Sequence, residues 1–292
     1  MRYALYTGCV AKGAGRELLT ATTYAAERLG IQLNEMKDAS CCGAGVVDDD
    51  NRLLADSMNA RTFSLAEASG LDIMTICGTC QGVMRAAQKK IDGNPDYKAR
   101  VNAALLKDTG RVYAGKVKIK HFYQIIHEDY GLENLAARVT VKLAGLKVAP
   151  FYGCYVLRPH EYSDVKVPDR PDYLEKFIET LGATPVDYPE KLKCCGFPIL
   201  MSNKTNSLQL SGNAILGAIK AGADCIVTPC PLCQLNMDSY QPEIEAILER
   251  KLGLPILHYP QLLALALGAT LDDVKTNTHI VRPNKALHEA SD

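Results

Sequence analysis

Apolar and polar positions alternate along the chain in short blocks that predict an α/β fold. Arg2–Tyr6, Gln32–Met36 and Ile73–Ile76 read as short strands, whereas Arg16–Leu29 and Arg52–Ser69 carry the apolar spacing of helices. The order returns further on. Lys147–Tyr152, Pro185–Tyr188 and Cys225–Thr228 are candidate strands, and Asp172–Leu181 and Ser207–Ala221 are candidate helices, with further helices after each C-x2-C element. Strands alternating with helices predict largely parallel sheets with flanking helices. The repetition predicts two tandem α/β domains related by pseudo-two-fold symmetry, with a boundary near Ala144–Lys147. The expected division is residues 1–145, residues 146–276, and a polar tail over 277–292 that is either loose or ordered on a partner.

Length and charge fit this picture. A chain of 292 residues can bury two cores of ordinary domain size. With 47% hydrophobic and 23% charged residues, and 33 basic against 33 acidic side chains, the composition is that of a folded globular protein. Neither disorder nor a nucleic-acid-binding surface is indicated. No apolar run reaches the roughly 20 residues of a membrane span, and the opening Met1–Cys9 reads as a strand rather than a signal peptide. A cytoplasmic protein without membrane insertion is expected. In that reducing setting its eleven cysteines point to metal ligation rather than to disulfides.

The cysteines carry the clearest internal repeat. Cys9, Cys41, Cys42, Cys77 and Cys80 are spaced C-x31-C-C-x34-C-x2-C, and Cys154, Cys194, Cys195, Cys230 and Cys233 are spaced C-x39-C-C-x34-C-x2-C. The last four of each set are related by a constant offset of 153. Neighbouring residues repeat too: Gly8-Cys9 answers Gly153-Cys154, Cys41-Cys42-Gly43 answers Cys194-Cys195-Gly196, and Thr79-Cys80-Gln81 answers Leu232-Cys233-Gln234. Each half also has a histidine segment, around His121 and His258, at an offset of 137 because the first half is longer around Asp92–Gly115.

Thiolates are soft ligands for iron–sulfur clusters and for zinc. A vicinal pair does not easily place both sulfurs on one tetrahedral ion but can reach different metals of a larger assembly. Five cysteines per half exceed the four that a cubane cluster or a zinc ion needs. The repeated cysteines therefore read as two multinuclear metal sites. Gly8, Gly43, Gly78, Gly153 and Gly196 would let backbone amides approach cluster sulfides, with ordinary turns as the plainer alternative.

Other candidates read as structural. Cys225 has no counterpart in the first half and lies in an apolar stretch, which suits a buried core thiol. His121 and His258 suit satisfied residues at strand ends, with proton carriers beside the clusters as the alternative. Asp48-Asp49-Asp50, just before Arg52–Ser69, reads as an acidic helix-capping loop.

These residues resemble the CCG-domain family and, over nearly the whole chain, the B subunit of heterodisulfide reductase. That resemblance implies a duplicated α/β fold in which each five-cysteine set holds a noncubane [4Fe-4S] cluster. Cys9, Cys41, Cys42, Cys77 and Cys80 would hold the first cluster. The second would be held by Cys154, Cys194, Cys195, Cys230 and Cys233. It further implies a disulfide or thiol substrate between the clusters, with the irons rather than a protein thiol performing the chemistry. Methanogen members usually follow the first cysteine pair with a proline-rich turn, whereas this chain has Cys42-Gly43-Ala44-Gly45. The segment Gly8–Gly15 looks closer to heterodisulfide-reductase-like complexes of sulfur-oxidising bacteria.

The chain has neither a C-x2-C-x2-C-x3-C ferredoxin motif nor a G-x-G-x-x-G flavin fingerprint. A ferredoxin-type iron–sulfur C subunit and a flavin-containing A subunit are the implied partners. Two alternatives remain open: an electron-relay subunit of the kind found in lactate, glycolate or succinate oxidation complexes, and a zinc or sulfur-carrier scaffold. Disulfide chemistry would require the two cysteine sets to face each other across the junction, about 10 Å apart, with an accessible cavity between them.

Overall fold

The computed structural model describes residues 1–159, 161 and 169–291. β1 (Arg2–Tyr6), β2 (Gln32–Glu35), β3 (Ile73–Thr75) and β4 (Ile119–His121) form one parallel sheet in the order β2-β1-β3-β4. The second sheet, also parallel, contains β5 (Lys147–Pro150), β6 (Thr184–Pro185), β7 (Cys225–Thr228) and β8 (Ile256–His258), in the order β6-β5-β7-β8. The expected tandem α/β architecture is present. Each histidine segment supplies a fourth strand, and the registers Thr75↔His121 and Thr228↔His258 set the two histidines at matching levels.

In each sheet the strand order reverses between the first and third strands, β1/β3 and β5/β7. Such switch points open a crevice beyond the carboxyl ends of the strands. Cys9 and Cys77 follow β1 and β3, and Cys154 and Cys230 follow β5 and β7. The topology alone thus brings cysteines from separate chain segments to one crevice in each half.

Both faces of the sheets are covered, which explains why the strands read as short apolar runs. Tyr3, Leu5, Met74, Val148, Val227 and Leu257 point into one core, and Ala4, Tyr6, Ile73, Ala149, Ile226 and Ile256 into the other. Each core draws on both halves. In the first, helix Arg16–Arg28 packs on helix Tyr259–Ala266 from the opposite half. Burying that apolar surface stabilises the pairing of the halves together with each sheet.

Helix Gly78–Asp92 makes the second close junction, against the short helix Cys154–Leu157. Two glycines one turn apart permit it. A Cβ at Gly78 would lie 2.7 Å from Val156, and one at Gly82 would lie 2.7 Å from the Tyr155 carbonyl oxygen. Backbone cannot move aside as a flexible side chain can, so the second site tolerates no added methyl without separation of the helices.

Three expectations need correction. The candidate strand Pro185–Tyr188 is found instead as Thr184–Pro185, because after one further bond from the Val186 N–H to the Val148 carbonyl at 2.9 Å the chain leaves the edge for a 3-10 turn at Pro189–Leu192. Asp48, Asp49 and Asp50 lie inside a short helix, Val46–Asp50, and the cap of Arg52–Ser69 is Asn51, whose Oδ1 accepts from the Leu54 N–H at 3.0 Å. The tail is not loose. Ile280 and Val281 donate their backbone N–H groups to buried Asp238 at 2.9 and 3.1 Å, and Leu287 and Ala290 of helix Lys285–Ser291 are buried.

Gly82→Ala should lower unfolding stability by about 1–3 kcal/mol, as overpacking does. Denaturant unfolding of the variant checks this, and wild-type stability would contradict the close helix contact.

Candidate metal centre

The ten repeated cysteines, dispersed over 225 positions of sequence from Cys9 to Cys233, are gathered into one continuous run of thiols. Cys9 contacts Cys41, Cys41 contacts Cys42, the Cys42 and Cys80 sulfurs are 3.5 Å apart, and Cys80 contacts Cys77. In the second half Cys154 contacts Cys194, Cys194 contacts Cys195, and Cys195 and Cys230 each contact Cys233. The two sets meet where Cys77 contacts Cys230. At this point thiols of the two halves are in direct contact.

Local backbone aims N–H groups at these sulfurs in a matched way. The amides of Gly43 and Gly196 point at Cys41 and Cys194 at 3.5 and 3.3 Å, and that of Phe197 points at Cys195 at 3.5 Å. Gly8 and Gly153 have φ of +70° and +76°, and a Cβ on either would press on the sulfur of Cys80 or Cys233 at 3.3 or 3.1 Å. These turns need glycine for both conformation and clearance. Gly78 acts differently from the expectation. Its N–H goes to the carbonyl of Pro229 at 3.2 Å, across the junction.

The vicinal pairs are fixed by a device the repeat does not reveal. Asn59 donates to the Cys42 carbonyl at 2.9 Å and Asn236 to the Cys195 carbonyl at 2.8 Å. Asn59 lies on the helix before the C-x2-C element and Asn236 on the helix that begins within it, so the same need is met from unrelated positions. Both amides are buried, and the Cys195 carbonyl also accepts from the Ser211 hydroxyl at 2.7 Å.

Thiol clustering sets the protonation pattern. Cys41 is pushed well down by hydrogen bonds from Cys42 and then Cys9, and Cys194 is pushed down by those from Cys154 and then Cys195. Their donors Cys9 and Cys154 are pushed up, first through the same bonds and then by burial. Cys225 stands apart, fully buried in β7, and burial pushes its thiol up. This matches a core residue.

His121 and His258 are both 1% exposed and begin helices after their strands. Burial pushes the His121 imidazole down to about 4, so the ring is neutral at neutral pH. Its Nδ1 accepts from the Tyr123 N–H at 3.1 Å, which leaves the proton on Nε2 to be donated to the Pro229 carbonyl at 3.0 Å. In the second half Pro260 occupies the position of Tyr123 and offers no N–H, and the His258 Nε2 instead meets buried Glu17 at 3.3 Å. The first histidine thus positions the loop before Cys230, and the second joins its half to helix Arg16–Arg28.

A cavity of about 250 Å³ is lined by all five cysteines of the first set. A second, of about 310 Å³, lies between the halves and is bordered by Gly78 and Thr79 on one side and Cys154, Cys195, Cys230 and Cys233 on the other. Phe197, Leu232 and Thr79 border both cavities. Val46 and Met201, 84% and 97% exposed, flank the second with apolar side chains. Among the described residues, no three His, Cys, Asp or Glu side chains converge on a point suited to a single metal ion. Ten thiols with converging backbone donors suit ligands shared among several metals, and the residues present fit iron–sulfur clusters.

Comparison with known proteins agrees with this geometry. The profile of the CCG cysteine-rich domain matches residues 3–85 and 148–238, one copy per half. The chain is 32% identical over 283 residues to the 8-methylmenaquinol:fumarate reductase membrane anchor subunit of Wolinella succinogenes, covering 97% of this chain and 98% of the relative. It is 30% identical over 276 residues to the B subunit of the ferredoxin/F(420)H(2)-dependent CoB-CoM heterodisulfide reductase of Methanosarcina acetivorans, covering 94% and 91%. A protein of Archaeoglobus profundus, named for its likeness to the heterodisulfide reductase B subunit, is 30% identical over 273 residues, covering 92% of this chain and 91% of its own. Among solved structures, a hypothetical protein from Helicobacter pylori shares the fold with a TM-score of 0.80 at 18% identity; the match covers 97% of this chain and 52% of that one. Among the described residues no helix is long and apolar enough to cross a membrane.

Exposure differs along the thiol run and can be read chemically. In the reduced, metal-free chain, brief alkylation followed by mass spectrometry should label exposed Cys41 first, with half-buried Cys194 and exposed Cys9 next. The buried Cys42, Cys77, Cys80, Cys195, Cys230 and Cys233 should follow, with Cys225 last. Uniform labelling would contradict the packing.

Proposed function

The chain belongs to the CCG cysteine-rich domain family, and we propose that it is the subunit of a larger oxidoreductase complex that interconverts a disulfide and two thiols at two noncubane [4Fe-4S] clusters. Cys9, Cys41, Cys42, Cys77 and Cys80 hold one cluster in this reading, and Cys154, Cys194, Cys195, Cys230 and Cys233 the other. The observation that carries it is the 310 Å³ cavity between the halves, which is walled by cysteines of the second set and by the Gly78–Thr79 turn of the first. A substrate there reaches sulfur ligands of one half while resting against the C-x2-C turn of its sister.

When bound, the clusters supply electrons one at a time and iron sites for sulfur. The protein's own residues prepare the place. Phe197, Leu232 and Val156 give the cavity an apolar wall that favours carbon-bound sulfur over water. Backbone N–H groups of Gly43, Gly196 and Phe197 stabilise negative charge on the ligand sulfurs, as preorganised dipoles do. Splitting a disulfide consumes two electrons and two protons, and the reverse reaction releases them. A ferredoxin-type iron–sulfur subunit and a flavin-containing subunit are the partners this reading requires for electron traffic.

A second reading has its own support. The relative from Wolinella succinogenes is named for a quinol:fumarate reductase, and the Cys77–Cys230 contact also suits electrons passing between the halves without substrate. Anaerobic reconstitution should load about eight irons per chain if both sites are four-iron clusters. Cys41→Ser should alter the spectrum of one site and spare the other, with Cys194→Ser doing the converse. Uptake of zinc in place of iron, or loss of both signals in either variant, would refute independent iron–sulfur sites. Turnover of 2-hydroxyethyl disulfide with reduced viologen by the loaded chain separates the readings, since a relay would reduce its clusters without consuming the disulfide.

A further inference from the structure

The pseudo-two-fold relation between the halves is broken at one place that bears on the sulfurs. From the first half, the Gly78 N–H and the His121 Nε2–H both reach the Pro229 carbonyl, and the Thr79 hydroxyl lies 3.3 Å from the Cys230 sulfur. The repeat offset of 153 puts Pro231 opposite Gly78 and Leu232 opposite Thr79. Pro231 has no N–H and Leu232 has no hydroxyl. His258 is engaged by Glu17. The first half therefore clasps the loop carrying Cys230, and the corresponding described positions of the second half carry no groups that return the clasp to the loop carrying Cys77.

We infer that Thr79 is a positioning residue for the opposite half: its hydroxyl donates a hydrogen bond to the Cys230 thiolate and raises the reduction potential of the second-half cluster relative to the first. This rests on the cluster-binding reading above. A metal-bound thiolate has no proton, so in the Thr79–Cys230 pair the hydroxyl is the donor. Hydrogen bonds to cluster sulfurs stabilise the more negative, reduced state and are one of the protein's means of setting potential. The backbone donors are matched between the halves, because Gly43 and Gly196 serve Cys41 and Cys194, and Ala44 and Phe197 serve Cys42 and Cys195.

Burial works in the opposite direction. Cys9 and Cys41 are exposed, whereas Cys154 and Cys194 are half-buried, and removing an anionic cluster from water lowers its potential. Thr79 offsets that penalty in the half that bears it. Its effect brings the two sites closer in potential, which suits a disulfide that exchanges one electron with each side.

The test is an EPR-monitored redox titration of the iron-loaded full chain, with each midpoint assigned to its half through the Cys41→Ser and Cys194→Ser proteins. Thr79→Val keeps the side-chain volume and removes the donor. It should move the second-half midpoint to lower potential and leave the first unchanged within error. Thr79→Ser should restore the wild-type value. Leu232→Thr places a hydroxyl at the corresponding point and should raise the first-half midpoint. Two wild-type midpoints that Thr79→Val leaves in place, or shifts equally, would overturn the inference. Failure of the wild-type chain to give an iron–sulfur EPR signal from each half would instead overturn the cluster reading itself.

Discussion

The approach of Cys77 to Cys230 is the contact on which the centre of the molecule depends. Two thiols from different halves meet there because the loop before Cys230 is held by donors from the first half, the Gly78 N–H and the neutral His121 ring, both on the Pro229 carbonyl. That grip needs helix Gly78–Asp92 to lie close against Cys154–Leu157, which in turn needs glycine at 78 and 82. The shared cores then make the arrangement rigid, since each face of each sheet is packed against elements of both halves. Changing any one of these contacts moves the two cysteine sets relative to each other.

Duplication explains the general plan and its exceptions explain the chemistry. Each half places cysteines beyond its first and third strands at a switch point, with glycine turns and backbone donors at corresponding sulfurs. The departures are concentrated at the junction: Gly78 against Pro231, Thr79 against Leu232, and His121 bound to a carbonyl against His258 bound to a carboxylate. They give the halves different roles in forming one site. The cavity between them is bordered by the thiols of one half and the C-x2-C turn of the other, as a substrate shared between unequal partners would require.

Much of this was legible in the residues. Apolar runs located the central strands β1, β3, β5 and β7, because strands buried on both faces need continuous hydrophobic sequence. The cysteine spacings pointed to the residues the fold gathers into a run of thiols, because Cys9, Cys77, Cys154 and Cys230 follow strands fixed by topology. The edge strand β6 was not legible in full, since a two-residue pairing ending in proline leaves little periodicity to read. Asn59 and Asn236 were hidden because they satisfy equivalent carbonyls from helices that do not correspond in the repeat. The packed tail was hidden for a similar reason. Ile280 and Val281 of the polar tail dock through backbone N–H groups on Asp238, and backbone donors leave no mark on side-chain pattern. The mismatch of Thr79 with Leu232 was visible in the aligned repeats, but its meaning required the distance to Cys230.

The account stands on the two cysteine sets forming one adjoining pair of sites across the junction. The most direct measurement is the EPR spectrum of the fully loaded chain poised so that both sites are paramagnetic, set against the sum of the spectra of two variants in which all five repeated cysteines of one half or of the other are replaced by serine. Dipolar coupling falls steeply with distance, so adjoining sites should give a broadened or split spectrum that the sum does not reproduce. A spectrum equal to the sum would contradict the claim and place the two sites apart.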